Sequence, residues 1–194
     1  MATGLDLEQS TLALSWSGGK DSSLALWVLR EEHGVSPCVM IPAECTNEVY
    51  EQRMADAFAS DLLQGISCVA AGDLLLEDVR EYREQRLGAA GMTAVFPLWK
   101  RHTTKLAHQF IAAGFEATLV CVDPGKLDPS FAGRAFDENL LADFPSGVDP
   151  CGENGEFHTF VHDGPIFTEP VACRPGGVVT RGGFVFCELL DVGA

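Results

Sequence analysis

The sequence predicts an α/β domain, a parallel sheet with helices on both faces, followed by a glycine- and proline-rich segment. Two observations lead there. Short apolar runs alternate with amphipathic stretches between residues 11 and 123, and the first run ends at a Gly-Gly corner that opens a helix. After Asp123 the periodicity fades, and a long segment without periodicity in a compact chain is usually functional.

Each element has its own signal. "TLALSW" (11–16) is an apolar run ending near glycines, as in a central parallel strand. Asp21 or Ser22 can cap the helix that follows, in which Leu24, Trp27, Val28 and Glu31 fall at helical spacing. "CVMIP" (38–42) reads as a second strand stopped by proline. Asn47 then heads a helix with Tyr50, Met54, Phe58 and Leu62 four residues apart. "ISCVAAGDL" (66–74) is a third strand ending in Gly-Asp, and "LEDVREYREQRLGAAG" a charged helix closed by glycine. "TAVFPLW" (93–99) reads as the fourth strand. "TTKLAHQFIAAG" reads as a helix opened by Thr103 or Thr104, with Gly114 past its end. "ATLVCVD" (117–123) is expected to be the fifth parallel strand. A short helix is expected near 136–142, and "GGVVTRGGFVFCELL" reads as an antiparallel hairpin or an edge strand. Residues 1–194 are expected to form one domain, with a nucleotide-binding core over 11–123 and a substrate-site segment with terminal strands over 124–194.

Composition narrows the function. Apolar residues make up 46% and charged residues 21%, an ordinary globular balance. No apolar run reaches the roughly 18–20 residues that cross a bilayer, and the N-terminus shows no basic segment followed by an apolar one. The cytoplasm is therefore the expected location, with no membrane partner. Twenty-eight acidic residues against 13 basic ones give a formal net charge of −15. That field disfavours broad docking on nucleic acid, whose affinity comes largely from phosphate contacts, but admits a nucleotide neutralised by Mg²⁺. Seven cysteines without a C-x-x-C pair suit neither a zinc site nor a redox dithiol. His158 and His162, four apart on an expected strand without a third ligand, do not read as a metal site.

The corner at residues 17–22 carries the most chemistry. Glycines let the backbone approach a ligand, helix-start N–H groups attract anions, Lys20 adds a full charge, and Ser17 and Ser22 add hydroxyls. A phosphate satisfies all of these at once. The G-x-x-x-x-G-K-[ST] loop fails, because Leu14 stands where its first glycine belongs and Asp21 where its hydroxyl residue belongs. What remains is S-G-G-K-D-S between a strand and a helix. It resembles the SGG-x-DS loop of the N-type ATP pyrophosphatases, whose fold is the adenine nucleotide alpha hydrolase-like (HUP) type. The resemblance implies that Ser15, Ser17, Gly18, Gly19, Lys20, Asp21 and Ser22 bind ATP, that Lys20 assists departure of pyrophosphate, and that Asp21 meets Mg²⁺.

The second half is more specific. "AGDLLLEDVREYREQRL" (71–87), "FPLW" (96–99) and "GENGEFHTFVHDGPIF" (152–167) resemble the diphthine–ammonia ligase family and its bacterial relatives. The G-E-x-G-E-[YF]-x-T-F signature falls on Gly152, Glu153, Gly155, Glu156, Phe157, Thr159 and Phe160, and D-x-P-x-F on Asp163, Pro165 and Phe167. His158 stands where many of the ligases carry an acidic residue, which points to the bacterial relatives. The family implies a C–N ligase that adenylates a carboxylate and amidates it with ammonia. Two carboxylates three residues apart on glycine-rich backbone can orient a metal, an amine or a cationic substrate. Asp73, Glu153 and Glu156 are accordingly expected to act with Lys20 in catalysis. Asp73, Arg134, Gly152, Glu153, Gly155, Glu156 and Thr159 are expected to meet the carboxylate acceptor.

Some positions have two readings. Arg134 neutralises a substrate anion or pairs with Asp137, and Phe157 and Phe160 read as core. Glu77, Arg80 and Arg83 share a helix face that is either solvated or substrate-binding, and Trp99 is core or pocket lining. Only "GVSP" separates the first helix from "CVMIP", so the chain reads as short by one βα unit, on the order of 30 residues. That shortening keeps a second class open, an ATP- or AMP-binding regulator without turnover. A homodimer is compatible with the sequence; tRNA thiolation would need cysteine pairs or basic surface that it lacks.

Overall fold

A computed structural model describes residues 7–42 and 64–193. The expected helix led by Asn47 lies outside them. The described residues form two compact units: one runs to Ser17 and from Asp21 to Lys100, the other comprises Gly18–Lys20 and the chain from Arg101 on. No helix among them is long and apolar enough to cross a membrane.

The first unit is the parallel α/β part. Strands β1 (Leu12–Trp16), β2 (Val39–Pro42), β3 (Cys68–Ala70) and β4 (Thr93–Val95) form one sheet in the order β2-β1-β3-β4, every pair parallel. Helix α1 (Lys20–Glu31) follows β1, and α2 (Glu77–Ala89) lies between β3 and β4. β1 is central, and Leu12, Ala13, Leu14 and Ser15 are all buried, as expected of a strand covered on both faces. Ala13, Ile41, Val69 and Leu87 form a core cluster against which Val39, Ile66, Met92 and Ala94 pack. α1 buries Leu24, Ala25, Leu26, Val28 and Leu29, whereas α2, highly charged, buries Leu87 alone.

The second unit corrects the expected fifth parallel strand. β5 (Glu116–Val122) lies in a separate antiparallel sheet of order β6-β5-β8-β7, with β6 (Phe157–Asp163), β7 (Cys173–Arg181) and β8 (Phe184–Asp191). Ala117 pairs with Val161, Leu119 with Thr159, and Val122 with both Phe157 and Val185. A continuous apolar run marks burial on both faces, and it reads the same whether the neighbours are parallel or antiparallel. The terminal hairpin is as expected: Arg181 pairs with Phe184 across Gly182 and Gly183, both with positive φ, as a two-residue primed turn requires.

Helix α3 (Thr103–Ala112) starts on Thr103, as expected, after His102 at the cap position without a side-chain bond, and Gly114 past its end has φ +85°. Helix α4 (Glu138–Asp143) starts on Asp137, whose carboxylate accepts the N–H of Leu140. Aromatic rings give the weakly periodic segment its core. Phe110 stacks on Phe115 at 4.6 Å and meets Phe136 edge-on at 5.5 Å; Phe136, Phe157, Phe144 and Phe131 continue the chain at 6.2, 5.3 and 5.6 Å.

Leu119, fully buried in β5, and Val179, exposed on β7, test this placement of the core. Leu119→Ala is expected to cost about 2–5 kcal/mol and Val179→Thr less than about 0.5 kcal/mol, read by chemical denaturation. Equal losses would mean that β5 is not a core strand.

Candidate functional site

In the first unit, the expected residues gather at the carboxyl ends of the strands. Ser15 is buried in β1 opposite Ile41. The Ser17 and Ser22 hydroxyls lie 3.1 Å apart, and the Ser17 N–H donates to Ser22 Oγ at 3.4 Å, so Ser22 ties the turn to α1 rather than capping it. Gly72 follows β3 where a side chain has no room: a Cβ there would stand 2.7 Å from the Asp21 carbonyl. Asp73 is therefore next to Asp21. Burial pushes its carboxyl above the usual range, the Arg83 charge opposes that, and the Asp21 charge adds to it. Arg83 Nε lies 2.7 Å from Asp73 Oδ2, an ion pair by distance, although that oxygen receives no well-aligned hydrogen bond.

The shared face of α2 has specific partners. Arg80 stacks on Trp99 at 4.7 Å and Phe96 at 5.0 Å and pairs with Glu84. Glu77 pairs with Lys100, whose φ of +57° is the left-handed conformation, unusual outside glycine.

In the second unit, Gly18–Lys20 is held by β6. The Lys20 N–H donates to Thr159 Oγ1 at 3.1 Å, and the Val161 N–H donates to the Gly18 carbonyl at 2.9 Å. Gly18 has φ +76° beside the Phe160 ring. Lys20 is 6% exposed, its ammonium 5.8 Å from the centre of the Phe157 ring. Ser-Gly-Gly-Lys and the Thr-Phe end of the second motif, 139 residues apart, thus meet in one place.

The loop 149–156 before β6 is built around Glu156. Its carboxylate, 3% exposed, accepts the N–H groups of Asp149 and Asn154 and the Asn154 side-chain amide, each at 2.9 Å. Burial pushes this carboxyl up, but those donors outweigh it and hold it below its ordinary value. Gly152 has φ +72°, and a Cβ there would stand 2.9 Å from the Phe157 carbonyl. The Glu153 N–H points at Asp149 Oδ1 at 3.4 Å. Gly155 faces the Lys126 ammonium.

Arg134 does not pair with Asp137. It pairs with Asp143 at 2.7 Å and lies over Phe131, because Asp137 is engaged in capping α4. Sequence reasoning also missed Asp149, which accepts the Thr103 hydroxyl and the Cys151 N–H, both at 2.7 Å. An aspartate two residues before an N–H it can bind is a legible Asx turn; its partner 46 residues away is not. Lys126 was missed as well: its ammonium binds the Asn154 carbonyl at 2.7 Å and Asp123 at 3.2 Å.

Comparison with known proteins fits these meeting points. Residues 102–175 match the family model of the diphthamide synthase C-terminal domain. The diphthine–ammonia ligase of Bos taurus is 32% identical over 97 residues, 47% of this chain and 36% of that protein. The chain resembles the diphthine–ammonia ligases. It is a distant homologue: the Rattus norvegicus ligase is 30% identical over 129 residues, covering 64% of this chain and 48% of that one. For Schizosaccharomyces pombe the figures are 26% over 128 residues, 64% and 21%. The chain thus spans less than half the length of these relatives. The family match includes all of loop 149–156 and β6, the strand that holds Lys20 and Gly18.

Glu156→Gln tests the loop. An amide brings two N–H donors to a place where only donors wait, so it is expected to cost about 1–3 kcal/mol at neutral pH. A depressed pKa stabilises the fold above the unfolded value, and that contribution disappears as pH falls through the folded pKa. The wild-type advantage in chemical denaturation should therefore shrink on acidification. An advantage independent of pH would rule out the buried carboxylate as its source.

Proposed function

We propose that this chain is an ATP-dependent ligase. It adenylates a carboxylate with release of pyrophosphate, then joins the activated carbonyl to ammonia. One observation carries the reading: the phosphate-loop tripeptide Gly18–Lys20 is hydrogen-bonded to the strand of the family's own glycine-rich motif, through Thr159 and Val161. A domain that spent this loop on a mere turn would have no reason to fix it from a strand 139 residues away.

In this reading the fold is the adenine nucleotide alpha hydrolase-like type. Ser15 and Ser17 lie at the end of β1 before the loop, and Gly18, Gly19 and Ser22 form the cradle. The Lys20 ammonium, buried against Phe157, neutralises negative charge that grows on the departing pyrophosphate. A lysine taken out of water interacts with an anion more strongly than an exposed one. Mg²⁺ belongs with the nucleotide. Among the described residues no group of three His, Cys, Asp or Glu side chains could hold a metal. Asp21 and Asp73, close enough for one charge to raise the other's pKa, would hold it together with phosphate oxygens, the usual share for Mg²⁺. There the ion would offset charge on the phosphates.

The roles of the two motif glutamates differ. Glu156 is saturated by donors and shapes the loop, so its part in catalysis is to hold Gly152, Glu153 and Gly155 in register. Glu153 is then the carboxylate of this motif assigned to the incoming amine, with Thr159 beside the phosphates. Arg134, paired with Asp143, is assigned to the structure of the second unit. The acceptor is a carboxylate on a small molecule or a modified side chain, and a soluble cytoplasmic enzyme, alone or as a homodimer, suits these substrates.

Lys20→Ala is expected to abolish conversion of ATP to AMP and pyrophosphate, measured with and without ammonium. Unchanged turnover in the variant would remove the loop from the reaction. Tight ATP binding without conversion in the wild type would assign the chain to nucleotide sensing instead.

A further inference from the structure

The first N–H groups of a helix are the donors that make a helix start an anion site. At the start of α1 one of them is already used: the Lys20 N–H donates to the Thr159 hydroxyl at 3.1 Å. A threonine hydroxyl has one proton and two lone pairs. Accepting from Lys20 uses a lone pair and leaves the proton to point elsewhere. Among the described residues, that proton has no acceptor within the protein. Thr159 is half-buried, on the strand whose Val161 N–H binds the Gly18 carbonyl and whose Phe160 ring lies beside Gly18.

From this juxtaposition we infer that Thr159 relays a donor to the phosphates: it takes the Lys20 N–H and presents its own O–H to a terminal phosphate oxygen of the nucleotide. The inference rests on the loop being the phosphate site, and moves Thr159 from the acceptor, where the sequence placed it, to the leaving group. A hydroxyl polarised by an incoming N–H is a better donor than an isolated one, so the relay returns more than the amide it removes. Threonine suits the role physically. β-Branching favours its place in a strand and limits the oxygen to few positions, while the O–H remains free to rotate toward an acceptor. The Val161–Gly18 hydrogen bond and the Phe160 contact do not depend on the Thr159 hydroxyl. They should keep the tripeptide on β6 when the hydroxyl is removed.

The test uses the full chain with Thr159→Val and Thr159→Ser, and Lys20→Ala as a control. Binding of inorganic pyrophosphate, a non-hydrolysable ATP analogue and AMP is measured by titration calorimetry. Amide hydrogen exchange is followed at Lys20. Thr159→Val is expected to weaken pyrophosphate and the ATP analogue about 10- to 100-fold, the range for losing one hydrogen bond to a charged group. AMP, which lacks the phosphates concerned, should bind as to wild type. Thr159→Ser should restore binding to within about 3-fold. Faster Lys20 exchange in Thr159→Val, with the serine variant still protected, would support the relay. Wild-type affinity of Thr159→Val for pyrophosphate, with Lys20→Ala impaired, overturns the relay and leaves the phosphate site standing. A wild-type chain that binds neither pyrophosphate nor the ATP analogue overturns both. An equal loss of AMP and pyrophosphate in Thr159→Val would show general damage in place of a phosphate contact, and also overturns the relay.

Discussion

Two hydrogen bonds donated by main-chain amides set the character of this chain: Lys20 N–H to the Thr159 hydroxyl, and Val161 N–H to the Gly18 carbonyl. A glycine-rich corner left to itself samples many conformations, and ordering each residue costs on the order of 1–2 kcal/mol. Here β6 removes that freedom. Gly18 takes the left-handed conformation that only glycine adopts without penalty, and Lys20 turns inward against Phe157. Gly18–Lys20 is thereby held by β6, while the Ser22 hydroxyl ties Ser17 to α1.

Electrostatics divides the acidic groups by what surrounds them. Glu156 is buried yet easily ionised, because three donors converge on it. Asp73 is half-buried and reluctant to ionise, because its loss of water outweighs the opposing Arg83 charge and Asp21 adds like charge. The first condition suits a permanent structural anion. The second is met by a cation already in place, Arg83 at 2.7 Å from Asp73, whereas Glu156 is held by neutral donors. In a chain of net charge −15, a nucleotide is opposed at long range. In the proposed reading, local donors and the buried Lys20 supply the attraction.

Much of the first unit was legible in sequence, because its signals are local. An apolar run ending in glycine and a charged stretch closed by glycine each declare themselves within about a dozen residues. The final hairpin was legible for the same reason, through Gly182 and Gly183. The direction of β5 was not, since its buried run is indifferent to the sense of its neighbours. Arg134 was ambiguous because a cation chooses among nearby acids by geometry: Asp137 was nearer in sequence but already bound the N–H of Leu140. At the site, both motifs were readable and their meeting was not. Nothing in Ser-Gly-Gly-Lys says that a threonine 139 positions later will take the lysine amide.

That separation has a thermodynamic consequence. Contacts between residues far apart in sequence carry a loop-closure cost that must be met before they contribute anything. The cradle at Gly18–Lys20 is therefore a property of the folded antiparallel sheet, since β6 reaches it only when paired with β5. A ligand that binds the held form and not the free one stabilises the held form by an amount that grows with its concentration over its Kd. In the proposed reading the nucleotide is such a ligand, so its phosphates and β6 reinforce one another through the Thr159 hydroxyl that takes the Lys20 N–H.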